Sequence, residues 1–463
     1  MVLIMLAIYF VIVIFISVKF WKARKIRNKK LSLLTCCFIA LYAFVIIITD
    51  SNVFIREKLN VSGDGVKLTC KWRFKTETMF NWFAALAFRP LGRAAADKIL
   101  ISNKEKMILF QAGKFAYAIN RDNGKKIWQK KIGEYNLSVV YPVLFDDKVV
   151  FAASELEKED DIYTNKISFF CLSVKDGKEI WKKVVNVIRV VGGEDNVFIT
   201  AVNNNIILAL QSIRSNNLYM LDGCSGNIIW ENKLKGLIVA SPSSDGSNLF
   251  VPIGESDNKQ LSSKIFAINL KKGDVLWEKK TNNDPTGISI FNGYGVYLTE
   301  NKHKKSENYL ECVDLNTGKT VWSNKLFISI LDYLPPPFIE NGKIYFYANK
   351  GNIMAVEVLT GKQIWESLPF GHLGGGSKFK VYGGRKSNLI AYNNIILGSI
   401  EFNMGIIDKI SGKILCVMDL NSFRSLGLYL DSCFITDMDL FGDMLYFAAS
   451  DGCIYALNIT GVK

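Results

Sequence analysis

Short apolar runs rich in β-branched and aromatic residues alternate along most of this chain with polar stretches punctuated by glycine. Residues 336–365 show the pattern. Ile344 to Tyr347 is one apolar run, and Asn349-Lys350-Gly351-Asn352 is a turn. Ile353 to Val358 is the next run, and Leu359-Thr360-Gly361-Lys362 turns into a last strand ending at Trp365. Upstream, Pro336 to Gly342 supplies a further strand and turn. Short strands joined by Gly-containing turns are a hairpin signal, with the glycine taking a positive φ that strains other residues. Four strands per unit is the content of one propeller blade. A helical repeat does not suit runs this short, β-branched and Gly-punctuated.

The unit recurs. Gly124/Trp128, Gly177/Trp181, Gly226/Trp230, Gly273/Trp277, Gly318/Trp322 and Gly361/Trp365 share one offset, Gly412/Cys416 is a degenerate copy, and Gly461 ends the series. Successive glycines lie 53, 49, 47, 45, 43, 51 and 49 residues apart, a period that marks a propeller or an array. The tryptophan sits on the outermost strand, where a large flat side chain wedges between its own blade and the next. Six residues before the glycine stands a small residue in most copies: Ala118, Cys171, Ala267, Cys312 and Ala355. Such a site faces a tightly packed neighbour. The last repeat stops before its outer strand, and the missing piece is found at the other end, in Val66 to Thr76 with Trp72. The strand 66–76 therefore closes a ring of eight blades over residues 66–463, removing strand edges that invite aggregation.

The motif Ala-x-x-x-x-x-Gly-Lys-x-x-Trp, as in Ala355 to Trp365, resembles the repeat of the PQQ-like (quinoprotein-type) eight-bladed propellers. The expected fold is all-β, an eight-bladed propeller preceded by membrane helices. Within that group the chain is closest in character to the non-catalytic BamB-like branch, which implies a protein-binding scaffold. The catalytic branch binds pyrroloquinoline quinone and Ca²⁺ on the axis, beneath a vicinal disulfide. The vicinal pair here, Cys36-Cys37, lies in an apolar segment outside the propeller. No residue matches that branch's catalytic Asp or Ca²⁺ ligands, and near-minimal repeats leave little sequence for an axial Asp, Glu and Asn cluster. No cofactor is expected. Two other classes stay open: a PQQ-dependent dehydrogenase using Ca²⁺, and a surface sensor or carbohydrate-binding module with aromatics lining one face or the channel.

Residues 2–18 and 31–49 carry no charge, and each run is near the roughly 17–25 residues that span a bilayer. Between them, residues 19–30 hold seven basic and no acidic side chains, which places this loop in the cytoplasm. Residues 1–50 thus read as a helical hairpin anchor, 51–65 as a linker, and the propeller as extracytoplasmic, in the periplasm or at the cell surface. The second run ends in Ile-Ile-Ile-Thr-Asp50 rather than a small-x-small cleavage site. One spanning helix or two remains open, as does the identity of the partner.

The net charge is +14. Residues 1–65 hold nine Lys/Arg and three Asp/Glu, or +6, leaving +8 spread over the propeller. Lys271-Lys272 and Lys302-His303-Lys304-Lys305 read as solvated turns, not the clustered cations and stacking aromatics of a nucleic-acid site. Nine cysteines in an exported chain raise the question of disulfides. Cys171 and Cys312 occupy small-residue sites and Cys416 a tryptophan site, so they read as buried thiols; Cys70 with Cys453 is the pair to test. Two histidines, His303 and His372, offer little for a metal site or a triad. His372 to Ser377 lacks the helix that a phosphate loop opens, and Glu155 to Asp161 lacks the spacing of a Ca²⁺ loop. The segment 78–90 is longer and more aromatic than a connection needs, and Phe80, Trp82, Phe83, Leu86 and Phe88 form its candidate contact with a partner or bilayer.

Overall fold

A computed structural model describes residues 60–62, 66–76, 96, 98–133, 141–159, 162–188, 197–211, 216–254, 262–300, 308–326, 335–348, 351–370, 387–400, 403–418, 435–449 and 452–461. The anchor segments 2–18 and 31–49, the aromatic residues Phe80, Trp82, Phe83, Leu86 and Phe88, and both histidines lie outside the described residues. No helix of the described residues is long and apolar enough to cross a membrane.

The described strands form eight antiparallel sheets, each a run of consecutive strands, except that the last takes two strands from the other end of the chain. Blade 1 comprises Ile99–Ser102, Met107–Ala112, Phe115–Asn120 and Lys126–Lys131. Blade 2 starts at Val143, blade 3 at Val197, blade 4 at Leu237 and blade 5 at Asp284; blades 6 and 7 start at Phe338 and Ile390. In blades 4 and 5 the first strand is broken into two short pieces, both paired with the second strand. Blade 8 comprises Ile435–Phe441, Met444–Ala449 and Cys453–Thr460, then Lys67–Lys75 and Asn60–Ser62. Most first strands of neighbouring blades touch each other around the axis. The last strands carry the exposed apolar residues Ile127, Ile180, Ile229, Leu276 and Val321, each next to its buried or half-buried tryptophan. Strand alternation therefore puts the middle strands between blades, where Leu109, Phe151, Leu208 and Val251 are fully buried.

Each seam has the same construction. Between the third and fourth strands of blades 1–7 stands a five-residue connection, such as 121–125 or 409–413. In most of them an Asx side chain starts the turn: Asp314 Oδ1 accepts the amides of Asn316 (3.0 Å) and Thr317 (2.8 Å), and Asp408 does the same for Ile410 and Ser411. The turn ends at a glycine of positive φ, +67° at Gly124. A Cβ there would stand 2.6 Å from Trp72 Cε3, so only glycine leaves the ring a flat seat. Trp128 sits likewise on Gly177, Trp181 on Gly226, Trp230 on Gly273, Trp277 on Gly318, Trp322 on Gly361 and Trp365 on Gly412. Each indole N–H also donates to a carbonyl in the next blade: Trp72 to Arg121 (3.1 Å), Trp128 to Val174 (2.8 Å), Trp365 to Lys409 (3.0 Å). The aromatic face thus buries area while its one polar atom stays satisfied.

The small residues before the glycines are explained by strand register. Ala118 lies opposite Trp128, Cys171 opposite Trp181, Ala267 opposite Trp277, Cys312 opposite Trp322 and Ala355 opposite Trp365. Blade 7 exchanges the volumes, pairing Ile406 with Cys416. Both side chains are buried.

The seam between blades 7 and 8 differs because of how the ring closes. Lys67–Lys75 pairs antiparallel with Cys453–Thr460, with Trp72 opposite Ala456. Gly124 follows Ala118 by six positions, whereas Gly461 follows Ala456 by five. The ladder runs on to Lys67 opposite Thr460 with no five-residue turn, so Gly461 is not a seat and is itself exposed. Cys416 stands where a tryptophan would have nothing to dock on. Cys70 and Cys453 lie opposite Leu457 and Lys75 respectively. They are several rungs apart along one ladder, at roughly 3.4 Å per residue, which is too far for a disulfide. Burial raises the thiol pKa of Cys70 to about 11 and that of Cys171 to about 12, as expected of inert core cysteines.

Candidate functional site

Antiparallel alternation gives the disc two unlike faces. One carries the first-to-second turns, such as 203–204 and 341–342, and the uniform five-residue turns. The other carries the second-to-third connections and every blade-to-blade connection. Those lengths vary widely: 281–283 suffices between blades 4 and 5, but 367–389, 419–434 and 76–98 join blades 6 to 7, 7 to 8 and 8 to 1. The longest connections therefore border one sector of the ring. Chain beyond what joining strands requires is where binding residues concentrate.

A cavity at the axis lies in that same sector. It measures about 470 Å³ and is lined by the first-strand regions of blades 1, 2, 6, 7 and 8. Leu144, Pro336, Pro337, Phe338 and Met438 give it apolar walls, and Lys98, Asn388, Asp437 and Asp439 its polar groups. An apolar pocket with a few convergent polar groups has the make-up of a ligand site.

A β-bulge aims the polar groups. The register of the first strand of blade 8 shifts between Ile435 and Asp437, and a bulge re-aims the side chains beside it. As a result Thr436 Oγ1 donates to Ala96 O (2.5 Å) in the 8-to-1 connection, and Asp437 Oδ2 accepts the Ile99 amide (3.0 Å) in blade 1. Asp437 Oδ1 accepts Asn388 Nδ2 (3.2 Å) at the entry to blade 7. One carboxyl group thus ties three blades together. Only 4 % of Asp437 is exposed. That burial pushes its pKa up to about 7, against the opposing pull of the Ile99 amide and Lys98. Burial also raises Asp439, with the Leu440 amide and Lys98 opposing it. Lys98 Nζ lies over the Tyr141 ring of the 1-to-2 connection, 5.7 Å from its centroid.

These residues do not compose a Ca²⁺ seat. Both Asp437 oxygens already accept N–H donors, Asn388 points its N–H₂ at that carboxylate, and the third charged side chain is a lysine. Among the described residues no group of three or more His, Cys, Asp and Glu is placed to share a metal ion. The expectation that short loops leave no axial Asp and Asn needs correcting, because two carboxylates and an amide do converge there. Sequence reading missed them because Asp437 meets residues 338 and 49 positions away. The available signal was Thr436-Asp437-Met438-Asp439, with acids at alternate positions of an otherwise apolar first strand.

The other candidates from the sequence fall elsewhere. The tryptophans and their glycines line the seams, away from the axial cavity. Lys271 and Lys272 are exposed in a uniform turn, as solvated residues are. Residues 155–159 and 162–166 belong to paired strands of blade 2, and the tip 160–161 lies outside the described residues.

Comparison with known proteins finds relatives of part of the chain. The family model described as outer membrane protein assembly factor BamB matches residues 170–301 and 304–372. A protein of that name from Nitrosomonas eutropha is 21% identical over 252 residues, covering 52% of this chain and 54% of its own length. A tetrathionate hydrolase from Acidithiobacillus ferrooxidans is 26% identical over 279 residues, covering 56% of this chain and 50% of its own. The chain thus spans about half the length of these curated relatives. In fold, the crystal structure of BamB from Moraxella catarrhalis superimposes with a TM-score of 0.51 at 12% identity, covering 84% of this chain and 99% of that one.

Proposed function

Since the chain folds as an eight-bladed propeller and is similar over part of its length to BamB-like members of the PQQ-like repeat family, we propose that it is a non-enzymatic scaffold that presents one face to another protein. The observation that carries this reading is the asymmetry of the disc: the strand ends that the long connections 367–389, 419–434 and 76–98 join all lie in one sector of one face. In this reading residues 2–18 and 31–49 hold the propeller outside a cell membrane. Phe80, Trp82, Phe83, Leu86 and Phe88, in the 8-to-1 connection, then contribute to the contact. The similarity to BamB makes envelope assembly, and outer-membrane protein assembly in particular, the process in which the partner is to be sought.

An enzymatic reading draws on the axial cavity and on the relative named as a tetrathionate hydrolase. Titrating the full chain with pyrroloquinoline quinone and Ca²⁺, and separately with tetrathionate, discriminates the two. The scaffold predicts no saturable change in quinone absorbance, no tetrathionate turnover and an unchanged melting temperature. A ligand at 100 times its Kd stabilises by about 2.7 kcal/mol, so a saturable rise in Tm with either compound would replace the scaffold with an enzyme.

A further inference from the structure

The outer strands make the rim of the disc, and their charges are unevenly distributed. Blades 8, 1 and 2 stand side by side, with outer strands Lys67–Lys75, Lys126–Lys131 and Glu179–Ile188. These strands carry four, three and two Lys or Arg respectively, against one acid, Glu179. That acid is engaged within the arc, by Lys130 across the seam at 3.0 Å. None of the nine basic side chains is buried, and Lys67, Lys71, Lys126, Lys131 and Lys182 are exposed. The described outer strands of blades 3 to 7 together carry four Lys against three Glu. Charges there meet opposite ones: Glu278 faces Lys264 at 3.1 Å, and Lys279 faces Glu311 at 3.9 Å.

Two further observations single out this arc. The residue before the seam tryptophan is exposed and apolar in blades 1 to 6, as at Ile127 and Leu276, but in blade 8 it is Lys71. The chain also enters the propeller here. Asn60–Ser62 runs along the outside of Lys67–Lys75, and ten residues separate Asn60 from the uncharged run 31–49. Ten residues span at most about 36 Å.

We propose that the rim of blades 8, 1 and 2 docks on a bilayer surface of anionic lipids, so that the disc meets the membrane edge-on and both faces stay clear. This rests on the reading of residues 31–49 as an anchor, since a short tether raises the effective concentration of lipid at the arc. The curvature of the rim allows it. Neighbouring blades are an eighth of a turn apart, so for four strands spaced about 4.8 Å around a narrow axis the rims of blades 8 and 2 stand on the order of 7 Å behind that of blade 1. That is within the Debye length of about 8 Å at physiological salt, so all three strands feel the same anionic surface. Ile127, Ile180 and Val184, each more than 40% exposed, add apolar contact among the cations. An acidic protein would satisfy the charge, but the tether favours lipid.

The full chain in nanodiscs of phosphatidylcholine, with or without phosphatidylglycerol, tests this through a photo-reactive amino acid at position 127 or at position 276 of blade 4. Mass spectrometry should find lipid adducts from 127 and none from 276. Those from 127 should fall when phosphatidylglycerol is left out or salt is raised. Lys67→Gln and Lys71→Gln, both at exposed positions, should each weaken docking about fivefold. Equal adducts from 127 and 276, or a yield at 127 indifferent to lipid charge, would overturn the proposal. So would adducts in whole membranes that join 127 to protein alone. A chain that washes out of membranes at alkaline pH would refute the anchor, and flotation of the full chain with vesicles then decides the arc. Binding to phosphatidylglycerol vesicles that the two substitutions weaken supports it, and equal or absent binding to charged and neutral vesicles ends it.

Discussion

Internal deletion of residues 60–76 is expected to abolish the monomeric fold. Lys67–Lys75 is the outer partner of Cys453–Thr460 along its full length. It buries Leu68, Cys70 and Trp72, and Val66 beside it is buried as well. Burying an aliphatic side chain stabilises by about 1.5–3 kcal/mol, and removing a buried tryptophan costs about 3–5 kcal/mol. Together these losses approach 10 kcal/mol, comparable with the 5–15 kcal/mol that separates a whole domain from its unfolded state. The deletion also leaves Cys453–Thr460 as an open apolar edge, the type of surface that pairs with other chains. Size-exclusion chromatography and circular dichroism should show aggregate or unfolded chain. A synthetic 60–76 peptide added during refolding should restore part of the monomer. A cooperative melt at the wild-type temperature without residues 60–76 would mean that the ring closes some other way.

Replacement of a single seam tryptophan is the second large effect. Trp128→Ala removes an aromatic seated on Gly177 and leaves the Val174 carbonyl without its indole donor. The expected loss is about 3–5 kcal/mol, read as a lower urea midpoint. Trp72→Ala and Trp181→Ala should lose similar amounts, since both have the same seat and bond. Cys416→Ala should cost on the order of 1 kcal/mol, because it removes one sulfur atom and no seam bond. A Cys416→Ala loss equal to the tryptophan losses would show that the 7–8 seam depends on that thiol as the others depend on their indoles.

The same contrast shows what the chain discloses before it folds. The eight blades are legible because each repeat obeys local rules: a positive-φ glycine ends the turn, a tryptophan stands four residues later, and a small residue such as Ala118 lies across the ladder from it. Departures are legible only in pairs. Cys416 looks like decay of the repeat until the register sets Ile406 opposite it, and Gly461 looks like a seat until its distance from Ala456 is measured against that of Gly124 from Ala118. The axial polar group was hidden for a different reason. Lys98, Asn388 and Asp437 belong to three blades, and a bulge at Thr436 points the carboxyl into the seam. No periodicity encodes a contact between inner strands of different repeats. The repeat specifies the scaffold, and the connections and inner strands, where it is weakest, carry the candidate site.

Two exposed apolar residues on opposite faces allow the scaffold reading to be tested directly. Leu368 is 74% exposed just after the outer strand of blade 6, on the face of variable connections. Ile410 is 67% exposed in the uniform turn 409–413, on the other face. A photo-reactive amino acid at each position, in the full chain within the cells that make it, should give a discrete protein adduct from position 368 and none from 410. Adducts from 410 alone, or the same adducts from both, would contradict a scaffold that binds through one face.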